Sequence, residues 1–528
     1  MTDRKDSLDR RRFVGGAFGA AAGASVASLL GQSAEAQAPG RGGGRGQRAG
    51  GPPPDISPNF VRPATSFKLE ATIHDCDVEG EIPSDLNGAF YRVGPDPQYP
   101  LAPGNIPFDG EGHVSMFRIR DGRCDYRTRF VKNDRWLAQN AAGRNLFPMY
   151  RNPGMDDPSV AGLSRSTANT HIINHRNYLL ALKEDSPPSA MDLLTLETIV
   201  PSYTFDDQLP SRTFTAHPKV DSETGNMVAF GYEAEGHGSD VVSMFEFTPQ
   251  GERVWNAKIQ VPYVGLLHDF AVTRNFIVFY VIPLAFDQAQ MDQGGIHWSW
   301  DGTKSTFFGF VRRGGDGSDV TWIQGPTRSA THVMGAFDDS ELLYVDVEMS
   351  EGNPFPFMPH SDGTSWSPQT GTSHITRLSV DLSRRRPQSY GIEQLYPHVG
   401  ALPRQDDRYN TMPYRYGFLN CPNPHVEGRG GATLTRFDHQ TRTDSYFDFG
   451  QGVQIAEACF APRSASAREG EGYLMAVRTN TNENGRGDLV IMDAEHLADG
   501  PVATVRLPIR AVGQVHGWWV PEAQLPGA

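Results

Sequence analysis

Cysteine is scarce. Four occur in 528 residues, Cys76, Cys124, Cys421 and Cys459, widely scattered and with no CxxC pair. That excludes a disulfide framework and a zinc ribbon. Positive charge is short as well: 48 Lys and Arg face 62 Asp and Glu, a net charge of −14. The balance argues against a nucleic-acid surface or an anionic membrane face. No apolar run is long enough to form a stable membrane span; the best, Val14 to Leu30, is short and rich in Gly and Ala. A GxSxG elbow is missing, so serine-hydrolase chemistry has little support. No HExxH or EF-hand loop is present, few stretches show a sustained 3.6-residue period, and no fixed-length repeat is visible.

What is present points elsewhere. Gly (56) and Pro (39) punctuate the chain, while 38% hydrophobic and 10% aromatic residues suffice for a large core. Residues 1–36 read as an address. Arg10, Arg11, Arg12 and Phe13 precede the mild apolar run, which ends at Ala34-Glu35-Ala36, a small-x-small cleavage signal. The order resembles a twin-arginine export signal, implying the twin-arginine machinery as a partner and a periplasmic location. Residues 37–57 are a Gly/Arg/Pro-rich linker that cannot bury a core. Residues 58–528 are then one domain.

From Phe67 onward, short β-type runs alternate with turns. DG, NG and PQG dipeptides or tripeptides between alternating runs are hairpin signals. GMDDPSVAG and MDAEHLADG are the segments read as short helical turns. Many short strands with such punctuation predict an all-β propeller or barrel.

Of sixteen histidines, His74, His297, His360, His398, His425, His439 and His496 sit beside turns or polar residues and read as surface groups. His171 and His175, in THIINHRNYLLAL, share a strand face but stand too far apart for one ion. Three others share a setting: His217 in TAHPKVD, His268 in LLHDFAVT and His332 in THVMGAF. Each opens a short run, a turn follows, and a second β-rich run returns. Intervals of 51 and 64 residues suit one histidine per four-stranded blade, converging on the axis. His516, in VHGWW, closes the chain. Neutral imidazoles without thiolates suit iron, copper, nickel or zinc. Acidic partners are needed to fix each ring's tautomer, and Glu184 and Glu457 stand in apolar β runs where a carboxylate requires a partner.

These residues resemble the carotenoid cleavage oxygenase family. NGAFYRVGPDPQYP and FDGEGH resemble its opening motif, and TAHPKVD, HDFAVT, THVMGAF and VHGWW its four ligand motifs. The resemblance implies a seven-bladed β-propeller with loops and short helices over the active-site face. It implies one Fe(II) per chain on His217, His268, His332 and His516, with Glu184 and Glu457 behind the ligands. The family's third such glutamate usually stands where this chain has Ala401, in GALPRQDDRY. One ring is therefore expected to lack its carboxylate and iron affinity to be lower.

The stretch from Met149 to Thr198 resembles the lignostilbene dioxygenase branch. That implies a tyrosine and a lysine, Tyr150 and Lys183, binding a substrate 4-hydroxyl group and acting in catalysis, with Phe108 packing near the ring. The implied reaction is oxidative cleavage of the central C=C of a 4-hydroxystilbene by O2, giving two aromatic aldehydes and incorporating both oxygen atoms. The alternative is an apocarotenoid or carotenoid cleaver, which Lys183 opposes. A non-catalytic or hydrolytic periplasmic propeller is a third reading.

Overall fold

A computed structural model describes residues 66–527 apart from 385, 424–425, 427–430 and 511–512. The address segment 1–36, the linker 37–57 and His425 lie outside the described residues. Strand formation follows the period-2 pattern. In Arg123–Phe130, Cys124, Tyr126, Thr128 and Phe130 face inward, while Arg123, Asp125, Arg127 and Arg129 stay at least partly in water. A tight turn joins it to Gly112–Arg120, with Asp121 and Gly122 at φ of +52° and +74°, as a two-residue hairpin with the native twist requires. Phe276–Phe286 is different: ten of its eleven residues are buried, so both faces are covered by neighbouring sheets.

The described strands form seven sheets of four to six strands, nearly all antiparallel meanders, arranged as the blades of a propeller. Apolar clusters lie between adjacent blades, the largest around Phe230, Phe270, Phe279 and Phe308. Both chain ends close the ring. His516–Pro521 pairs with Gly88–Pro95, so one blade takes its innermost strand from the C-terminal end. Asp77–Gly80 pairs with Pro501–Arg510, so the preceding blade takes its outermost strand from the N-terminal end.

Short helices lie outside the blades. The two segments read as helical turns contain 3-10 turns at Pro158–Val160 and Leu497–Asp499, and a third, Pro153–Met155, overlaps the start of the first. An α-helix over Asp134–Ala142 was not foreseen. Asn133 caps its first turn through Trp136 N, and Gly143, at φ +69°, ends it. Its polarity is inverted: Arg135 and Gln139 are buried, and Leu137 is exposed. The buried guanidinium has charge partners in Asp109 (3.2 Å) and Glu111 (2.9 Å) of the FDGEGH segment. No described helix is long and apolar enough to cross a membrane.

Candidate active site

Each of the seven blades presents the start of an inner strand to the axis. His516 opens His516–Pro521 and His171 opens His171–His175. His217 precedes Lys219–Val220, His268 precedes Ala271–Val272, and His332 lies near the start of Ser329–Asp338. Ala401 opens Ala401–Arg404, and Glu457 precedes Cys459–Pro462. Four of these, His217, His268, His332 and His516, bring their ring nitrogens together. His268 Nε2 stands 3.2 Å from His217 Nε2 and 3.1 Å from His332 Nε2.

The other side of three rings fixes their tautomers. His268 Nδ1 donates to Glu184 Oε1, His332 Nδ1 to Glu348 Oε2 at 2.7 Å, and His516 Nδ1 to Glu457 Oε1 at 2.9 Å. A carboxylate only accepts, so each of these Nδ1 atoms carries a proton and each ring turns its Nε2 inward. Bare nitrogens about 3 Å apart repel. A cation among them reverses the sign, and such spacing is what metal–nitrogen bonds of about 2.0–2.1 Å produce. The donor set therefore fits a divalent metal held by imidazole.

The electrostatics agree. Burial raises the Glu184 carboxyl, but His268, Lys183 and Arg151 outweigh it and hold the group at about 2. Glu348 and Glu457 are also held low against their burial, by His332 and by His516 with Arg404. Burial and the neighbouring rings depress His217, and burial holds His516 at about 4. His332 alone is pushed up, because the Glu348 contact outweighs burial.

Glu348 corrects the expectation attached to Ala401. His332 does not lack a carboxylate; its partner comes from the neighbouring strand Leu342–Ser350. Leu402, at φ +50°, donates its backbone N–H to the same carboxylate at 3.2 Å. The methyl side chain of Ala401 lines the cavity beside it. An acidic residue inside the buried run VDVEMS was the signal available in the sequence. His297 is a second correction: it is fully buried rather than a surface group, packed edge-on against Trp298. His171 stands beside the cluster, 5.4 Å from the His217 ring and 5.2 Å from His516, yet its Nδ1 is bound to the Ala216 carbonyl.

The opening motif builds this centre. Arg92, fully buried, donates to the carbonyls of Gln514 (2.8 Å) and Val515 (2.6 Å), just ahead of His516, and to that of Glu457 (3.2 Å). Behind Glu184 a polar chain runs outward. Tyr232 donates its hydroxyl to Glu184 Oε2 at 2.9 Å, Arg151 donates to that hydroxyl at 2.7 Å, and Arg151 pairs with Glu233.

One cavity joins His268, His332 and His516 to Phe108, Tyr150 and Lys183. Lys183 Nζ lies over the Tyr150 ring, 5.2 Å from its centroid, and both side chains are buried. Burial, with the charge of Glu184, pushes the Tyr150 phenol well above its ordinary range, so it remains a neutral donor. Phe108 stands edge-on to Phe357 at 5.1 Å, and Asn169 fixes it by donating to its carbonyl at 2.6 Å. Leu266, Trp298, Phe355, Met358 and Leu402 complete an apolar wall. His217 faces a smaller, polar recess behind the cluster, with Lys219, Asp269 and Arg404.

A propeller with an axial tetrad of imidazoles, opening on an aromatic cavity with one buried cation, has the build of a metal-dependent oxygenase. Comparison with known proteins gives the family. The family model described as retinal pigment epithelial membrane protein (RPE65) matches residues 64–521. Lignostilbene-alpha,beta-dioxygenase isozyme III of Sphingomonas paucimobilis is 39% identical over 475 residues, covering 87% of this chain and 96% of that protein. Isoeugenol monooxygenase of Pseudomonas nitroreducens is 35% identical, covering 88% and 98%. The crystal structure of Pseudomonas brassicacearum lignostilbene dioxygenase superposes with a TM-score of 0.83 at 38% identity, covering 87% of this chain and 97% of that one. The chain belongs to the RPE65/carotenoid cleavage oxygenase family and is an oxygenase of that family.

Proposed function

We propose that this protein cleaves the central C=C bond of 4-hydroxystilbenes with O2, giving two aromatic aldehydes, at one Fe(II) per chain held by His217, His268, His332 and His516. The observation that carries the reading is the placement of Lys183 and Tyr150 on the wall of the cavity that holds three of those histidines. Similarity to a lignostilbene dioxygenase at 39% identity supports it.

Iron, when bound, supplies the activation of O2; the chain's residues prepare the alkene. An ammonium beside a phenol favours the phenolate, since opposite charge stabilises the ionised form. The neutral Tyr150 hydroxyl donates to the same oxygen. A phenolate conjugated with the alkene raises its electron density, which makes that bond the reactive one. Phe108 and Phe357 hold the ring, and the apolar wall keeps water from the reacting carbons. Both atoms of O2 end in the two aldehyde carbonyls.

An apocarotenoid or carotenoid substrate is disfavoured by the buried Lys183, whose charge finds no counterpart on a polyene. Iron-loaded protein incubated with resveratrol, piceatannol, a lignin-derived stilbene and an apocarotenal decides the matter. Hydroxybenzaldehydes from the stilbenes support the reading; turnover of the apocarotenal alone refutes it, and a folded protein that takes up no iron supports a non-catalytic propeller. We place the enzyme in the periplasm, exported by the twin-arginine route. The support is the Arg10-Arg11-Arg12-Phe13 segment and its small-x-small site. Replacing the three arginines by lysine is expected to keep the protein in the cytoplasm on fractionation.

A further inference from the structure

A second convergence of donor atoms stands outside the cavity, where the segment after Glu233 meets the segment before Trp298. His297 is fully buried, and its Nε2 lies 3.1 Å from Glu233 Oε2. Burial raises the Glu233 carboxyl, but Arg151 and His297 outweigh it and hold the group at about 2. Glu233 is therefore ionised and only accepts, which places the His297 proton on Nε2. Burial, reinforced by Arg151, holds His297 at about 4, so at neutral pH the ring is uncharged and Nδ1 is a bare lone pair.

That lone pair faces other donors. His297 Nδ1 is 3.1 Å from His237 Nε2, which in turn is 3.3 Å from Met291 Sδ. Burial lowers His237 too, so it also offers a neutral ring. Met291 is buried in the short helix Gln288–Asp292, and Asn152 Nδ2 anchors its carbonyl at 2.9 Å. His237 is exposed at the surface, which gives an ion a way in.

We propose that His237, His297 and Met291 form a copper(I) site separate from the four-histidine centre. A soft thioether beside two borderline imidazoles, with no carboxylate or hydroxyl among the three, favours Cu(I) over the hard divalent ions. Glu233 takes the place a carboxylate holds behind a metal-bound histidine, fixing tautomer and orientation. The spacings of 3.1 and 3.3 Å match those across the iron centre. The buried Arg151, whose charge acts on both rings, is paired with Glu233, so its charge is offset.

The competing account is an N–H···N bond between the two rings with Met291 as packing, and the two separate experimentally. Iron-loaded full-length protein is titrated anaerobically with Cu(I) against bathocuproine disulfonate, with iron measured in the same samples. Wild type is expected to withhold one more Cu(I) per chain than His237→Ala, with equal iron content and equal melting temperature. X-ray absorption at the copper edge should show a sulfur scatterer that Met291→Leu removes. Equal Cu(I) capacity in wild type and His237→Ala, or copper without a sulfur neighbour in wild type, overturns the site. Retention of Zn(II) in preference to Cu(I) overturns it as well.

Discussion

Glu348→Ala tests the reading of the metal centre most directly. The carboxylate accepts from His332 Nδ1 at 2.7 Å and from Leu402 N at 3.2 Å, and it is 3% exposed. Removing it leaves the ligand ring free to rotate and to adopt the wrong tautomer. A hydrogen bond to a charged group contributes about 1.5–3 kcal/mol. Converted at about 1.4 kcal/mol per tenfold, this is roughly a 10- to 100-fold loss of iron affinity. In the metal-free protein the truncation leaves His332 Nδ1 and the Leu402 N–H without their acceptor, a cost of about 1–3 kcal/mol per buried donor that melting curves measure separately from iron affinity. Glu348→Gln keeps an acceptor without the charge and should fall between. Glu348→Ala combined with Ala401→Glu returns a carboxylate from the neighbouring strand and should recover part of the affinity. The assay is competition for Fe(II) against a chromogenic chelator under anaerobic conditions, with melting curves of the metal-free proteins as the control. Wild-type iron affinity in Glu348→Ala would refute the argument.

Two further outcomes follow from the same physics. Lys183→Ala should lower kcat/KM for a 4-hydroxystilbene by about 10- to 100-fold, the worth of one charge-assisted contact, while iron content stays at the wild-type level. Against the 4-methoxy analogue, which cannot ionise, variant and wild type should converge; a deficit of equal size on both substrates would remove the assigned role. In acid, the metal-free protein should lose stability well above the carboxylate range. Burial holds His175 and His297 at about 4 when folded, against an ordinary value of 6.5. A lowered histidine stabilises the fold above the unfolded value and loses that contribution as pH falls from 6.5 toward 4. Each group is then worth about 2 kcal/mol less at pH 5 than at pH 8. A melting temperature that does not move between those pH values would contradict it.

Three of the four histidines that converge on the axis were legible because a blade repeats its logic. A histidine that opens a short run, followed by a turn and a returning strand, recurs at His217, His268 and His332, and the fold sets each at an inner strand's start. The aromatic and cationic wall, by contrast, came through resemblance, since nothing local to Tyr150 or Lys183 says that they share a cavity. Glu348 escaped because VDVEMS reads as core strand, and its acidity acquires meaning only when the neighbouring strand brings Leu402 alongside. His297 escaped for the converse reason: a histidine beside Gly-Gly-Ile reads as a turn, and only the packing of Trp298 and Phe286 buries it. In the helix Asp134–Ala142 no amphipathic period was visible because its inward groups are Arg135 and Gln139. Their burial is stabilised by Asp109 and Glu111, which no local window contains.

The strand His516–Pro521 has two duties: it completes the first blade against Gly88–Pro95, and its first residue is a corner of the four-histidine cluster. A bound ion is thus a reversible cross-link between the tail of the chain and three blades far back in the sequence. Unlike a disulfide, which persists in the unfolded chain, the ion is held only where the four rings converge; it stabilises the closed circle by mass action and can be drawn out by a chelator. Ion release and unfastening of the circle become a single cooperative event. Extraction of the metal should be felt first as fraying of the terminal strand and of Gly88–Pro95 beside it, while the three successive blades that carry His217, His268 and His332 keep their own hairpins.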